Sequence, residues 1–217
     1  WDLYHSETSH AYKNFEIAAG LDKGTFKGPS FHDGDFYKIF EGMAATYAVT
    51  KDKKLDAEMD KAIALFAKVQ RKDGYIHTPV LIDERWGTLG PEEVKKQLGF
   101  EKYNMGHLMT AACIHYRATG KTNFLDIAIK AADMLVRTFG DNPGQIKGVP
   151  GHQIVETGLL KLYQITGKED YLKLAKYYLD NRGNPNNHKL YGEYAQDHMP
   201  VVEQKEAVGH AVRAVYM

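Results

Sequence analysis

Three glycine–histidine pairs could carry chemistry, because each places an imidazole directly after a residue without a side chain. They are Gly106-His107, Gly151-His152 and Gly209-His210. A neutral imidazole offers one hydrogen-bond donor and one acceptor, which suits a hydroxyl group, and glycine lets another group or a ligand approach closely. A single histidine of this kind is more often structural, but the recurrence favours a shared site for a ligand that carries hydroxyl groups.

Acidic residues near these pairs have two interpretations. Asp33 and Asp35 stand at the start of a predicted helix, where a carboxylate either caps the helix or acts on a substrate. Glu156 follows His152 by four residues, so both would lie on one face of a helix. That pair is either structural or part of the same site, and the sequence leaves both interpretations open.

Several other kinds of site are excluded by the sequence. It has no phosphate-binding glycine loop, no His-Glu-x-x-His and no nucleophile elbow. Cys113 is the single cysteine, and its apolar neighbours indicate a buried, unreactive thiol. Lys plus Arg equals Asp plus Glu at 28 each, and no apolar run approaches the roughly 20 residues of a membrane-spanning helix. We therefore expect neither nucleic acid nor membrane insertion, while the compartment stays unassigned.

The scaffold that positions these residues is predicted to be helical. Apolar residues recur every three or four positions in paired segments, and a Thr-Gly-Lys turn joins each pair at 119–121 and again at 166–168. Glycine in this turn suits the left-handed residue that ends a helix. The pattern predicts an all-α fold of successive helical hairpins, about seven helices, with an irregular insertion at 75–102.

Repeated helical hairpins form either an open array or a closed (α/α) toroid. The connections at 140–151 and 183–204 are long and carry Gly, Pro, His and Asp, as active-site loops do. We therefore expect residues 1–217 to be a partial (α/α)6 barrel, an incomplete half-barrel that continues past Met217. Each glycine–histidine pair would open the first helix of a hairpin, so the three histidines would converge on one mouth of the barrel.

At these positions the sequence resembles glycoside hydrolase family 127. The resemblance covers nearly the whole chain, and Gly34 departs from the serine of the family pattern. It rests on short motifs in the family's order: DGDFYK at 33–38, DGYIHT at 73–78, ERW at 84–86, GHL at 106–108, PGH with Glu156 at 150–156, and AVGHAVR at 207–213.

The resemblance implies an (α/α) barrel that releases terminal β-L-arabinofuranose from plant-type glycans with retention of configuration. It implies a zinc-bound cysteine as nucleophile and a glutamate as general acid/base, all of them beyond Met217. No catalytic or metal-binding residue is therefore expected in this chain, which alone would be inactive. The resemblance assigns contacts with a glycoside or oligosaccharide substrate to His107, His152 and His210, together with Asp35 and Glu156.

Two other functions are open at this stage. A different (α/α)-barrel enzyme, such as a hydrolase of unsaturated uronides, would use a pair of carboxylates or an aspartate and a histidine from these residues. A barrel without catalysis would serve only to bind carbohydrate. Downstream sequence without the glutamate and cysteines of family 127 would favour the uronide hydrolase, and sugar binding without turnover would favour the binding module.

Overall fold

The computed structural model describes Ser6, residues 9–83 and residues 100–217. Its helices in these residues are α1 (Ala11–Ala18), α2 (His32–Thr50), α3 (Lys53–Val69), α4 (Thr78–Asp83), α5 (Phe100–Thr119), α6 (Asn123–Thr138), α7 (Ile154–Thr166), α8 (Glu169–Asn181) and α9 (Ala211–Tyr216). Two short 3₁₀ helices follow α8, at Glu193–Ala195 and Val201–Glu203. Within this part of the chain, no helix is long and apolar enough to cross a membrane.

The all-α prediction is confirmed, with nine α-helices in the described residues in place of about seven. The expected helices are α2, α3 and α5 to α9, while the short helices α1 and α4 were not anticipated. The predicted insertion at 75–102 contains α4, which starts at Thr78, and its last three residues belong to α5. The ERW motif with Trp86 lies outside the described residues.

The helices pack in two rows because each hairpin contributes one helix to each row. In the first row, α5 lies between α2 and α7 and packs against both. In the second row, α6 contacts both α3 and α8. Helix α9 adjoins α7. This arrangement is consistent with part of an (α/α) barrel.

Two glycines allow α5 and α7 to approach each other closely. A Cβ atom on Gly106 would lie 2.8 Å from the Ile154 carbonyl carbon, and one on Gly158 would lie 2.9 Å from the Gly106 oxygen. Larger residues at either position would push the helices apart, because backbone atoms cannot move aside as a flexible side chain can. The close neighbour of Gly106 is therefore helix α7 and not a ligand.

Candidate functional site

The three histidines differ in where they lie relative to the neighbouring helices. His210 directly precedes α9, and His152 lies two residues before α7. His107 lies well inside α5, so the prediction that each histidine opens a helix is wrong for this residue. The helix starts early because its polar residues at this end are buried with partners: Asn104 accepts a hydrogen bond from the Gly34 amide at 2.9 Å and donates one to the Ser30 carbonyl at 3.0 Å.

Aromatic contacts join the three imidazoles in what we call the histidine cluster: His107, His152, His210 and the ring of Tyr103. Tyr103 lies between two of them, with ring centroids 4.6 Å from His107 and 4.7 Å from His152. The rings of His152 and His210 are 6.0 Å apart. The Tyr216 hydroxyl lies 3.5 Å from Nε2 of His107. Residues from α5, from the segment before α7 and from the segment before α9 therefore meet at one place.

The two buried histidines of the cluster are neutral at physiological pH. Burial, assisted by the positive charge of Lys38, lowers the pKa of His107 to about 3. Burial likewise lowers the pKa of His152 to about 3, with a further contribution from Arg213. Among the described residues, neither Nδ1 of His152 nor Nδ1 of His210 has a hydrogen-bond partner. Neutral imidazoles with free polar atoms are suited to hydroxyl groups.

Asp35 reaches this cluster only through other side chains. Its carboxylate is 41% exposed and accepts a hydrogen bond from Nζ of Lys38 at 3.0 Å. Lys38 also donates to the Tyr103 hydroxyl at 2.5 Å. Asp35 thus orients a lysine that holds Tyr103, and no direct contact joins it to the three histidines in the described part of the chain.

Asp33 has a structural role. It is buried, and its carboxylate accepts hydrogen bonds from the Thr78 amide at 2.7 Å and the Thr78 hydroxyl at 2.6 Å. Thr78 is the first residue of α4, so Asp33 satisfies a backbone donor at the start of that helix. Asp33 therefore caps a helix, as one of the two interpretations held, but that helix is α4 and not α2, to which Asp33 belongs.

Glu156 lies in a different environment from His152. Because α7 begins at Ile154, the two residues do not share a helical face, and the predicted pairing is wrong. The Glu156 carboxylate is buried 3.9 Å from the guanidinium of Arg182. Burial raises the pKa of Glu156 to about 7, although Arg182 and Lys102 act in the opposite direction. Neither carboxylate oxygen accepts a hydrogen bond from another described residue.

A groove of about 650 Å³ adjoins the histidine cluster. It runs between α2, α5, α7 and α9, and it has the size of a small-ligand site. Its polar lining includes Lys38, His107, Thr110, Thr157, Lys161 and Tyr216.

The described residues do not fit a zinc ion. They contain no group of three or more His, Cys, Asp or Glu side chains arranged to hold a metal. Cys113 is fully buried among apolar residues, and burial raises the pKa of its thiol to about 11, which disfavours the thiolate that zinc binds. Cys113 is a core residue, as its sequence neighbours indicate.

Sequence reasoning missed Tyr103, Tyr216 and the role of Lys38. Tyr103 precedes His107 by four residues on α5, so helical spacing alone would have placed the two side by side once the helix start was known. Lys38 lies within the DGDFYK motif but had no assigned partner. No local signal pairs Tyr216 with His107, because the contact joins residues 109 apart.

We expect the free energy of unfolding to fall as the pH is lowered from about 6.5 towards 4. His107 and His152 have folded-state pKa values of about 3, below the ordinary value of 6.5, so the unfolded chain takes up protons that the folded chain excludes. Urea denaturation at several pH values measures the slope. The variant His152→Gln should lose less stability on acidification, and an unchanged slope would contradict the burial of a neutral imidazole.

Comparison with known proteins agrees with this geometry. The family model described as β-L-arabinofuranosidase, GH127 catalytic domain, matches residues 2–217. A non-reducing end β-L-arabinofuranosidase of Bifidobacterium longum subsp. longum is 36% identical, over 96% of this chain and 34% of its own length.

Two solved structures are similar throughout the chain. A GH127 β-L-arabinofuranosidase from Geobacillus stearothermophilus T6 superposes with a TM-score of 0.88 at 41% identity, covering 98% of this chain and 35% of that one. A second GH127 β-arabinofuranosidase superposes with a TM-score of 0.87 at 45% identity, covering 97% of this chain and 34% of that one. The chain spans about a third of the length of these relatives.

Proposed function

Because the chain belongs to glycoside hydrolase family 127, we propose that the whole protein is a retaining β-L-arabinofuranosidase and that this chain supplies part of its sugar-binding site. The observation that carries the proposal is the histidine cluster. His107 and His152 are buried and neutral, and His107 also lines the groove of about 650 Å³ beside the cluster. A furanose, with hydroxyl groups that both donate and accept, is suited to neutral imidazoles beside such a groove.

The residues take different roles in this proposal. His107, His152 and His210 hydrogen-bond sugar hydroxyls directly. Asp35 acts through Lys38, since its carboxylate binds that ammonium group. Glu156 does not contact the sugar in this proposal. Its buried carboxylate lies beside Arg182 and stabilises the protein interior next to the site.

The chemistry itself is assigned to other residues of the whole protein. A retaining mechanism needs a nucleophile and an acid/base group about 5 Å apart across the anomeric carbon. Among the described residues, Asp33 is engaged by Thr78, Asp35 binds Lys38, Glu156 faces Arg182 in the interior, and Cys113 is buried in the core. In accordance with the family resemblance, we place the zinc, the cysteine nucleophile and the glutamate acid/base outside this chain.

Hydrolysis of p-nitrophenyl β-L-arabinofuranoside tests the proposal. The whole protein should release nitrophenol from this substrate but not from the α-L-anomer, and the purified 217-residue chain should release none. Turnover by the chain alone would place the nucleophile within these residues. Turnover of an unsaturated uronide disaccharide instead would establish the uronide hydrolase, and arabinose binding without turnover would establish a binding module.

A further inference from the structure

Gln196 has an unusual backbone conformation for a buried residue. Its φ of 52° and ψ of 35° lie in the left-handed region, where glycine is favoured and other residues are strained. In the described part of the chain, only His10 and Lys51 share this feature among non-glycine residues, and neither is buried. Gln196 is 1% exposed. Keeping a side chain at a position that suits glycine indicates that the side chain has a role.

The Gln196 side chain bonds to the segment that carries His210. Its Nε2 donates to the Val208 carbonyl at 2.7 Å and to the His210 carbonyl at 3.3 Å. The same segment is fixed from the other side, because the His210 amide donates to the Tyr194 carbonyl at 3.2 Å. The backbone of His210 is therefore held between the Tyr194 carbonyl and the Gln196 amide group.

The same side chain also bonds to the segment that carries His152. Oε1 of Gln196 accepts a hydrogen bond from Nε2 of Gln153 at 3.2 Å, and Gln153 directly follows His152. Arg182 reinforces this link, because it donates to the Pro150 carbonyl at 2.6 Å and to the Ala195 carbonyl at 2.9 Å. One amide group thus bridges the two loops whose imidazole rings lie 6.0 Å apart.

We infer that Gln196 is a positioning residue that sets the spacing of His152 and His210. The inference rests on the proposed function for its catalytic consequence, but the link between the two loops can be tested without substrate. A glutamine is suited to this task because one end of its amide donates to two carbonyls while the other end accepts.

The kinetic test compares Gln196→Ala with Gln145→Ala in the whole protein. Gln145 is a matched control, because its Nε2 donates to the Val136 carbonyl at 2.8 Å and its Oε1 accepts from the Asn142 amide, so both bonds stay within residues 136–145. Gln196→Ala should lower kcat/KM for p-nitrophenyl β-L-arabinofuranoside about tenfold, chiefly by raising KM. Partial unfolding alone would lower the amount of active enzyme without changing KM. An unchanged KM in Gln196→Ala, or an equal rise in Gln145→Ala, would overturn the inference.

A second variant separates the amide from the backbone. Gln196→Gly removes the strain of holding a residue with a side chain in the left-handed conformation. Its Tm should therefore exceed that of Gln196→Ala, while its KM stays raised. Recovery of the original KM in Gln196→Gly would show that the amide is dispensable, and the inference would be wrong.

Hydrogen–deuterium exchange distinguishes this inference from the proposed function. Amides in the peptide 205–213 should exchange faster in Gln196→Ala than in the original protein, and Gln145→Ala should leave them unchanged. Faster exchange in a protein that does not hydrolyse arabinofuranosides would support the positioning role and reject the proposed function. Unchanged exchange would reject the positioning role whatever the activity.

Discussion

Replacing His210 with alanine in the whole protein should lower kcat/KM for p-nitrophenyl β-L-arabinofuranoside about ten- to a hundredfold. The imidazole of His210 lies 6.0 Å from that of His152, and His210 is only half-buried. A hydrogen bond from this ring to a sugar hydroxyl contributes roughly 1 to 3 kcal/mol when its loss leaves the partner unsatisfied. Because 1.36 kcal/mol corresponds to a factor of ten, that range gives the expected loss.

A buried histidine outside the cluster provides the control for this substitution. His115 is fully buried, and its ring contacts among the described residues are with Phe40 and Phe124 and not with the cluster. His115→Leu should therefore change Tm but leave KM unaltered. Full activity of His210→Ala would remove His210 from the site, and equal kinetic losses in the two variants would show that both act through folding.

The helices were predictable from sequence because their signals are local. An apolar stripe and the turn glycines Gly120 and Gly167, both with positive φ, define where α5 and α7 end. The start of α5 was not predictable in this way. The predicted insertion extends to Lys102, but Lys102 and Asn104 are both buried within α5, and Asn104 bonds to backbone groups more than 60 residues away. Tertiary partners override local polarity at such positions.

The candidate site was predictable in its residue types but not in its connections. Three glycine–histidine pairs pointed to His107, His152 and His210, which do lie in one cluster. The contacts that organise the cluster join distant residues, such as Lys38 with Tyr103 across 65 positions. Spacing along one helix carries no information about such contacts, which is also why Glu156 was paired with His152 when its neighbour is Arg182.

Replacing Arg182 with leucine should destabilise the fold by about 3 to 5 kcal/mol near pH 8. The guanidinium is fully buried, donates to two carbonyls, and lies 3.9 Å from the Glu156 carboxylate. Its loss leaves the Pro150 and Ala195 carbonyls without these donors and leaves a buried carboxylate without its nearest cation. Urea denaturation of the original protein and the variant measures the difference.

The destabilisation should depend on pH because Glu156 titrates with a raised pKa. In the folded protein this pKa is about 7, above the ordinary value of 4.5, so folding favours the protonated acid. The stabilisation from the bound proton is complete below about pH 4.5 and is lost as the pH rises through about 7. At about pH 5 the acid is mostly protonated, and Arg182→Leu then costs the hydrogen bonds and packing of arginine without the additional cost of an unpaired charge. The loss should therefore be smaller at pH 5 than at pH 8.

The double variant Arg182→Leu, Glu156→Gln isolates the charge from the hydrogen bonds. Glutamine has the shape of the protonated acid and does not ionise, so the pH-dependent part of the loss should disappear while the part due to the two carbonyls persists. The single variant Glu156→Gln should gain stability relative to the original protein as the pH rises from about 5 to 8, in accordance with the raised pKa of Glu156. A loss that is the same at both pH values in Arg182→Leu would mean that Glu156 stays protonated throughout, and that Arg182 contributes to stability only by joining the loops at Pro150 and Ala195.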